Sequence, residues 1–379
     1  MKKVLFIATR NPFSGRHSGD VIRSSKIINL LKKKYHLDIV FLNKSREFKT
    51  SNKNILTFKE SNFFLKILYC IISFLKFEPI QFGLFYSKKM KEYLTENVYQ
   101  YDCLFFYHIR SSQYLPENFS GKTIIEIGDL YSENYLQTFN HLNVLNPLKY
   151  IYLIESILVK RIEEKIFSIF DKITLFSKNE ANKIKKNFKS KINQVDECAD
   201  IVKSKYKFSK NNFRILFVGN LDYLPNFLAC RDFIKKDLPF LKKKIPQIKF
   251  SIVGNINKFK KLLLSGQPEV EVLGFKKDIS KYVKNSICGL ANLEIATGVQ
   301  VKVLTYMSYG LPVICTKKVS KNFGGNVLSF KNKNELHKII YELKSNQTKS
   351  NKFSKKSLKL SKSLNWKKIS LKYLKLINN

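Results

Sequence analysis

Two glycine-bearing turns hold the residue types that could handle an anion. One is ATGVQVKVLTYMSYGLPVICT (296–316): Thr297 and Gly298 make a turn, Lys302 stands in the first turn of a following helix, Gly310 stops that helix, and Pro312 leads a buried strand. A glycine ahead of a helix start lets backbone amides approach a diphosphate closely, and a lysine beside it adds a point charge. The same lysine on an ordinary strand-to-helix loop would simply be solvated. The other is RNPFSGRHSGDVIRSSKIINLL (10–31), where Gly15 and Gly19 loosen a loop and 20–31 reads as a helix with Asp20 near its N-cap. It lacks the GxGxxG spacing of a dinucleotide fingerprint and is equally readable as a plain connecting loop. His108 ends an apolar run beside Tyr107, a setting in which a lone histidine is more often structural than chemical.

These turns need elements to hold them. Short β-branched and aromatic runs alternate with longer helical patterns, at 3–9, 37–43, 54–58, 102–108, 122–128 and 172–177, and again at 213–220, 249–255, 270–275, 287–293, 311–316 and 326–330. That alternation predicts parallel sheets with helical crossovers, hence an α/β protein of two Rossmann-like, doubly wound domains. In such sheets ligands bind outside the carboxyl ends of the strands, where both glycine turns fall. The polar, lysine-rich stretch 200–212 reads as a linker. The expected domains are therefore 1–200 and 201–360. The tail 361–379 regains helical spacing through Leu364, Ile369, Leu371, Leu374 and Ile377 and is expected to pack back toward the N-terminal domain.

The 379 residues include 69 Lys+Arg against 29 Asp+Glu, a net charge of +40, with 44% hydrophobic residues. This length and apolar content exclude a disordered chain and a single small module. The charge disfavours cationic partners and favours phosphorylated ligands or an anionic membrane surface. No nucleic-acid-reading motif accompanies it, so nucleic acid is not an expected partner. Six cysteines without CxxC spacing read as buried hydrophobes in a reducing compartment. The apolar N-terminal run is too short for a signal peptide and reads as a first strand, giving a cytoplasmic expectation. The segment 61–85 is apolar on nearly all faces, which predicts a helix that is either packed away or resting on a membrane.

The 296–316 segment resembles the nucleotide-sugar signature of GT-B glycosyltransferases of family 4, closest to the exopolysaccharide and capsule branch, where it runs approximately GIQNKVLEAMAxGxPVV. In order along the chain, SGDVIRSSKIINLL (18–31), IIEIGDLYSENY (124–135), SKNEANKI (177–184), FVGNLDYLPN (217–226), SIVGN (251–255), 273–283 and Trp366 are also similar to that branch. The resemblance implies a GT-B fold with two domains facing a central cleft. It also implies transfer of a sugar from a nucleotide-sugar donor to a growing cell-surface glycan or lipid-linked saccharide, with retention, no cofactor and no metal. Donor contacts would fall on Gly19, Asn220, Thr297, Gly298, Val299, Gln300, Val301, Lys302 and Thr305. Acceptor contacts would fall on Arg23, Asp129 and Ser132, and catalytic roles on His108, Asp20 and Lys302.

Departures accompany the match. Thr297 and Thr305 occupy the places of two family glutamates, the second of which receives hydrogen bonds from ribose hydroxyls; a threonine hydroxyl makes only a neutral bond there. Glu294 stands where the branch tends to have arginine, Val301 replaces its asparagine, and ECAD (197–200) replaces its interdomain motif. These changes leave open a non-enzymatic partner or scaffold in a glycan assembly complex. The apolar segment and the charge together predict a peripheral enzyme at the inner face of the plasma membrane.

Overall fold

The computed structural model describes residues 1–14, 19–44, 51–199, 202–203 and 205–378. They form two compact units, Met1–Asp196 with Ser370–Asn379, and Glu197–Ile369.

In the first unit, seven parallel strands lie in the order β3-β2-β1-β4-β5-β6-β7. They are β1 (Lys3–Ala8), β2 (His36–Asn43), β3 (Ile55–Lys59), β4 (Cys103–Tyr107), β5 (Lys122–Gly128), β6 (Lys172–Leu175) and β7 (Ile192–Gln194). Helices cover both faces of a doubly wound sheet, so the central strands are apolar without alternation. Val4 to Ala8 and Cys103 to Tyr107 are buried throughout. β1 pairs with β2 on one side and β4 on the other, so the chain reverses direction across the sheet between β1 and β4.

The second unit repeats the plan with six parallel strands in the order β10-β9-β8-β11-β12-β13. These are β8 (Arg214–Val218), β9 (Lys249–Val253), β10 (Val270–Gly274), β11 (Ser286–Ala291), β12 (Val313–Thr316) and β13 (Leu328–Phe330). Its reversal lies between β8 and β11. The two expected doubly wound α/β domains are thus present. Of the strands, only β7 was not foreseen, three half-buried residues with no periodic signal.

The last helix, Trp366–Asn378, buries Ile369, Tyr373, Leu376 and Ile377, while Leu371, expected on its apolar face, is exposed. Tyr373 supplies the ring that the aliphatic spacing did not anticipate. It lies in the first unit, hydrogen-bonded to Glu126 and to Arg23.

The helix Phe63–Leu75 buries only Ser73. Phe63, Phe64, Ile67, Leu68, Ile71, Phe74 and Leu75 are exposed, as is Phe77 just beyond it. The segment is thus divided: Ile80–Leu84 is packed away, with Phe82 buried and Gly83 against the Tyr69–Cys70 backbone, while most of Phe63–Leu75 stays exposed.

Candidate functional site

Each unit gathers its candidate residues at the carboxyl ends of its strands, at the reversal point where doubly wound sheets open a crevice. In the second unit the helix Val301–Ser308 follows β11. Gly298, at φ 58°, turns the chain into it. Gln300 is the N-cap residue, and its side-chain amide donates to the Thr297 carbonyl, 2.8 Å. Asn322 holds the Gly298 carbonyl from outside the turn. Tyr306 latches the helix to the sheet: its hydroxyl receives the Val218 amide at 2.7 Å and donates to the Leu290 carbonyl at 3.2 Å. The helix is thereby tied to β8 and β11.

Lys302 is 8% exposed. Its Nζ donates to Asn226 Oδ1 at 2.6 Å and lies 4.9 Å from the Phe217 ring centre. Asn226 Nδ2 in turn donates to the Asn220 carbonyl, 2.8 Å, at the end of β8. Beside them Gly254, at φ 147°, comes so close to Gly219 that a Cβ there would stand 1.8 Å from the Gly219 carbonyl oxygen. Desolvation dominates the electrostatics and lowers the Lys302 pKa to about 7. The result is a buried lysine, only partly protonated near neutral pH, beside a helix N-terminus.

The structure therefore brings Lys302 together with Asn220, through Asn226, and places Thr297, Gly298, Val299, Gln300 and Val301 on the turn leading to it. Thr297 is buried and Val301 exposed. Thr305 is half-buried and donates to the Val301 carbonyl within its own helix, 3.1 Å. Glu294 is an exposed surface residue whose carbonyl receives the Lys318 ammonium at 2.5 Å. Asp200 of the ECAD motif, like Gly15 of the first loop, lies outside the described residues.

In the first unit, Thr9, Arg10, Asp20, Tyr107 and His108 line one crevice at the ends of β1 and β4. Gly19 opens the helix Gly19–Lys32 there, and Asp20 follows in its first turn, paired with Arg10 at 2.8 Å. Tyr107 donates its hydroxyl to the Asp20 carbonyl, 2.8 Å. His108 has φ 78°, unusual for a residue with a Cβ. Such strain persists only where surrounding contacts enforce it, and it concentrates at functional sites. Here the His108 amide donates to the Glu126 carbonyl and its Nε2 meets the Tyr131 hydroxyl at 2.6 Å. Burial, then the positive fields of Arg110 and Arg10, hold the imidazole well below its ordinary pKa, so it is neutral. Burial likewise holds the Tyr131 phenol well above its ordinary value.

The acceptor set is not gathered in the same way. Arg23 was expected to meet an acceptor, but it is 2% exposed. Its Nε pairs with Glu126 at 2.8 Å, its Nη2 donates to the Val195 carbonyl and the Tyr373 hydroxyl, and its guanidinium stacks 4.1 Å from the Phe176 ring. A guanidinium so consumed is a core strut, which corrects the expectation. Ser132 donates to Glu163, 2.5 Å, and lines a cavity of about 520 Å³ with Leu130, Leu136, Phe167 and Ile184. Burial pushes the Glu163 carboxyl up to about 7. Asp129 is half-buried just after β5.

Sequence reasoning missed Asn226, Tyr306, Arg10, Arg110 and Tyr131. Asn226 lay inside the FVGNLDYLPN segment, but nothing in its spacing tied it to Lys302, 76 positions away. Arg110 follows His108 by two residues, so the sequence itself sets it beside that histidine.

Residues 212–345 match the family model described as glycosyl transferases group 1. A protein from Klebsiella pneumoniae described as an uncharacterized 44.6 kDa protein in the cps region is 26% identical over 269 residues, 67% of this chain; the chain spans 65% of that relative's length. Among solved structures, Anabaena Alr3699/HepE in complex with UDP and glucose superposes with a TM-score of 0.68 at 12% identity, covering all of both chains. TarM superposes at 0.64 and 13% identity, covering 100% of this chain and 99% of that one. An E. coli structure described as trehalose-6-phosphate bound with UDP-2-fluoro glucose superposes at 0.65 and 10%, covering 99% and 98%. The fold is GT-B.

Proposed function

From the match of residues 212–345 to the glycosyl transferases group 1 model, we propose that the chain transfers a sugar from a nucleotide-sugar donor to a growing cell-surface glycan or lipid-linked saccharide. The observation that carries this reading is the Lys302–Asn226–Asn220 chain beside the Gly298 turn. It combines a desolvated lysine that an anion would protonate, a helix N-terminus and a close backbone approach, the three features a diphosphate needs. The UDP held by HepE, the similarly folded protein, supports a nucleoside diphosphate as the ligand class, and the cps region of the Klebsiella relative supports a capsule-type product.

In this reading the second unit holds the donor through Gly298, Val299, Gln300, Val301 and Lys302. As the bond from the sugar's anomeric carbon to the β-phosphate oxygen breaks, negative charge grows on the diphosphate. Lys302 and the amides at the start of Val301–Ser308 stabilise that charge. The reaction does not call for a metal. The acceptor hydroxyl passes its proton to the departing diphosphate oxygen as the new glycosidic bond forms, with retention. His108 and Asp20 line the first unit's crevice, on the acceptor side, where His108 can position the hydroxyl and the Asp20 carboxylate can hold a sugar hydroxyl.

The exposed apolar side chains of Phe63–Leu75 support attachment to an anionic membrane surface, where a lipid-linked acceptor would reside. A non-catalytic scaffold is the second reading. It is favoured by one observation: the Thr305 hydroxyl, at the place of a family glutamate, is turned back onto its own helix.

Thermal-shift titration with UDP, GDP, CMP, dTDP and ADP at fixed salt, on wild type and Lys302→Ala, tests the transferase reading. A ligand that binds the native state alone raises the melting temperature by mass action. A shift with one nucleotide that is lost in the variant supports a working donor site; no shift with any nucleotide, with or without added acceptor, moves the weight to the scaffold.

A further inference from the structure

We propose that the acceptor carries a carboxylate or phosphate group, and that Arg110, beside His108 at the end of β4, binds it. The inference rests on the transferase reading above and adds a substrate class to it.

Arg110 lies in the short turn Ile109–Tyr114 that follows β4. Its Nε donates to Gln81 Oε1 at 2.8 Å. Gln81 is itself fixed, its backbone amide and Nε2 both donating to the Glu155 carboxylate at 3.2 and 3.1 Å. The guanidinium also lies against Phe85, 4.5 Å from the ring centre. These contacts set the plane of the guanidinium before any ligand arrives. They do not satisfy it: Nη1 is buried without a hydrogen-bond partner.

Charge makes the same point. Among the described residues no carboxylate forms an ion pair with Arg110; Glu155, held by Gln81, feels the guanidinium only through that neutral amide. Arg10, whose guanidinium lies 5.5 Å from the same Phe85 ring, is balanced by Asp20. His108 contributes no charge of its own, and its Nδ1 is also buried without a partner. The end of β4 thus holds a guanidinium without a direct counter-ion and two orphaned polar atoms within three residues. Buried polar groups are normally paired, and a cluster of exceptions calls for a ligand. An anion would give Nη1 its acceptor and Arg110 the direct counter-ion it lacks. A guanidinium held in a fixed plane suits carboxylate or phosphate oxygens, whereas a neutral sugar leaves the charge uncompensated.

Ligand-observed NMR titration of the full chain tests this with four probes at fixed salt: D-glucuronate, D-glucose 6-phosphate, inorganic phosphate and D-glucose. Wild type, Arg110→Gln and Arg110→Lys are compared, with UDP titrated in each as a readout of the second unit. The expected result is that a charged sugar binds wild type at least 10-fold more tightly than glucose. Glutamine should remove that advantage, lysine should keep part of it, and UDP affinity should be unchanged. Whichever of glucuronate and glucose 6-phosphate binds better identifies the source of the anion. Equal binding of glucose and the charged sugars overturns the proposal, as does undiminished charged-sugar binding by Arg110→Gln, or no sugar binding where UDP still binds. Charged-sugar selectivity that depends on Arg110 in a protein that binds none of the five nucleotides would sustain the anion site while removing the transferase reading. If the glutamine variant does not fold, the wild-type contrast between charged and neutral probes decides alone.

Discussion

Lys302 Nζ donates 2.6 Å to Asn226 Oδ1, and among the described residues no acidic side chain forms an ion pair with it. Desolvation therefore controls its protonation and lowers its pKa from 10.5 to about 7. Between those values the unfolded chain carries the proton and the native state does not. Stability contributed by this group consequently rises with pH across that window and is flat below it. Urea unfolding at pH 7 and pH 9.5 should show wild type gaining on Lys302→Met as pH rises; a constant gap would contradict the assignment.

The same lysine must regain its proton to face a diphosphate. At pH 8, binding of the nucleotide that shifts the melting temperature should take up as much as about one proton, a value governed by the change in pKa between the free and bound states. Calorimetry in buffers of different ionisation enthalpy measures this directly. Lys302→Met should abolish the uptake and weaken binding roughly 10- to 100-fold, the scale of a charge-assisted hydrogen bond. Uptake that survives in the methionine variant would place the titrating group elsewhere.

His108 combines a strained backbone with a neutral side chain, and the two can be separated. His108→Gly relieves the positive φ, whose cost is of order 1–3 kcal/mol for a residue with a Cβ, but opens a cavity and removes the Tyr131 contact. It should unfold no more readily than His108→Ala, while transfer falls by about 100-fold in both, the scale of losing a group that orients a reactant. Because burial and the neighbouring arginines hold the imidazole well below its ordinary value, the wild-type rate should not lose activity to His108 protonation between pH 6 and 7. A limb in that interval that disappears in His108→Ala would contradict the neutral assignment.

How far these relationships were legible in the sequence depends on their range. The strands and their turns follow from local runs, and the Gly298 to Lys302 segment announced itself because all its parts lie within five residues. Arg23 did not. Its motif was recognisable, but its partner Glu126 is 103 positions away and Tyr373 is 350 positions away, so only the fold reveals that the charge is consumed inside. Asn226, tied to Lys302 across two crossovers, escaped for the same reason. Phe63–Leu75 was ambiguous because composition alone does not say whether an apolar helix has a neighbour.

Arg23 and Glu126 form a pair whose side chains are 2% and 1% exposed. Removing one partner leaves a buried charge, which typically costs 3–5 kcal/mol, whereas replacing both with apolar groups is far less damaging. Glu126→Gln and Arg23→Met should each destabilise by about that amount, and the Arg23→Met/Glu126→Leu double variant should recover a large part of it in chemical denaturation. If Arg23 contacted the acceptor instead, Arg23→Met would leave stability near wild type and raise the KM for acceptor.

The exposed helix supplies the remaining test. Phe77, just beyond it, lies 6.0 Å from Arg161 of the helix Leu148–Ile169, and that helix also exposes Ile151, Ile154 and Ile157. Both helices thus expose apolar side chains, with cationic ones such as Lys76 exposed among them. Apolar surface of this kind costs little to transfer into a bilayer interface, and each lysine near an anionic surface adds about 1 kcal/mol. Replacing Phe64 and Ile71, 81% and 52% exposed, with glutamate removes apolar contact and adds repulsion at positions that contribute almost nothing to the core. The double variant should retain its melting temperature but bind vesicles of phosphatidylglycerol and phosphatidylethanolamine at least 10-fold more weakly in a flotation assay. Raised salt should weaken wild-type binding without abolishing it, since screening removes only the ionic part. Equal flotation of the variant and wild type would mean that this face serves something other than lipid.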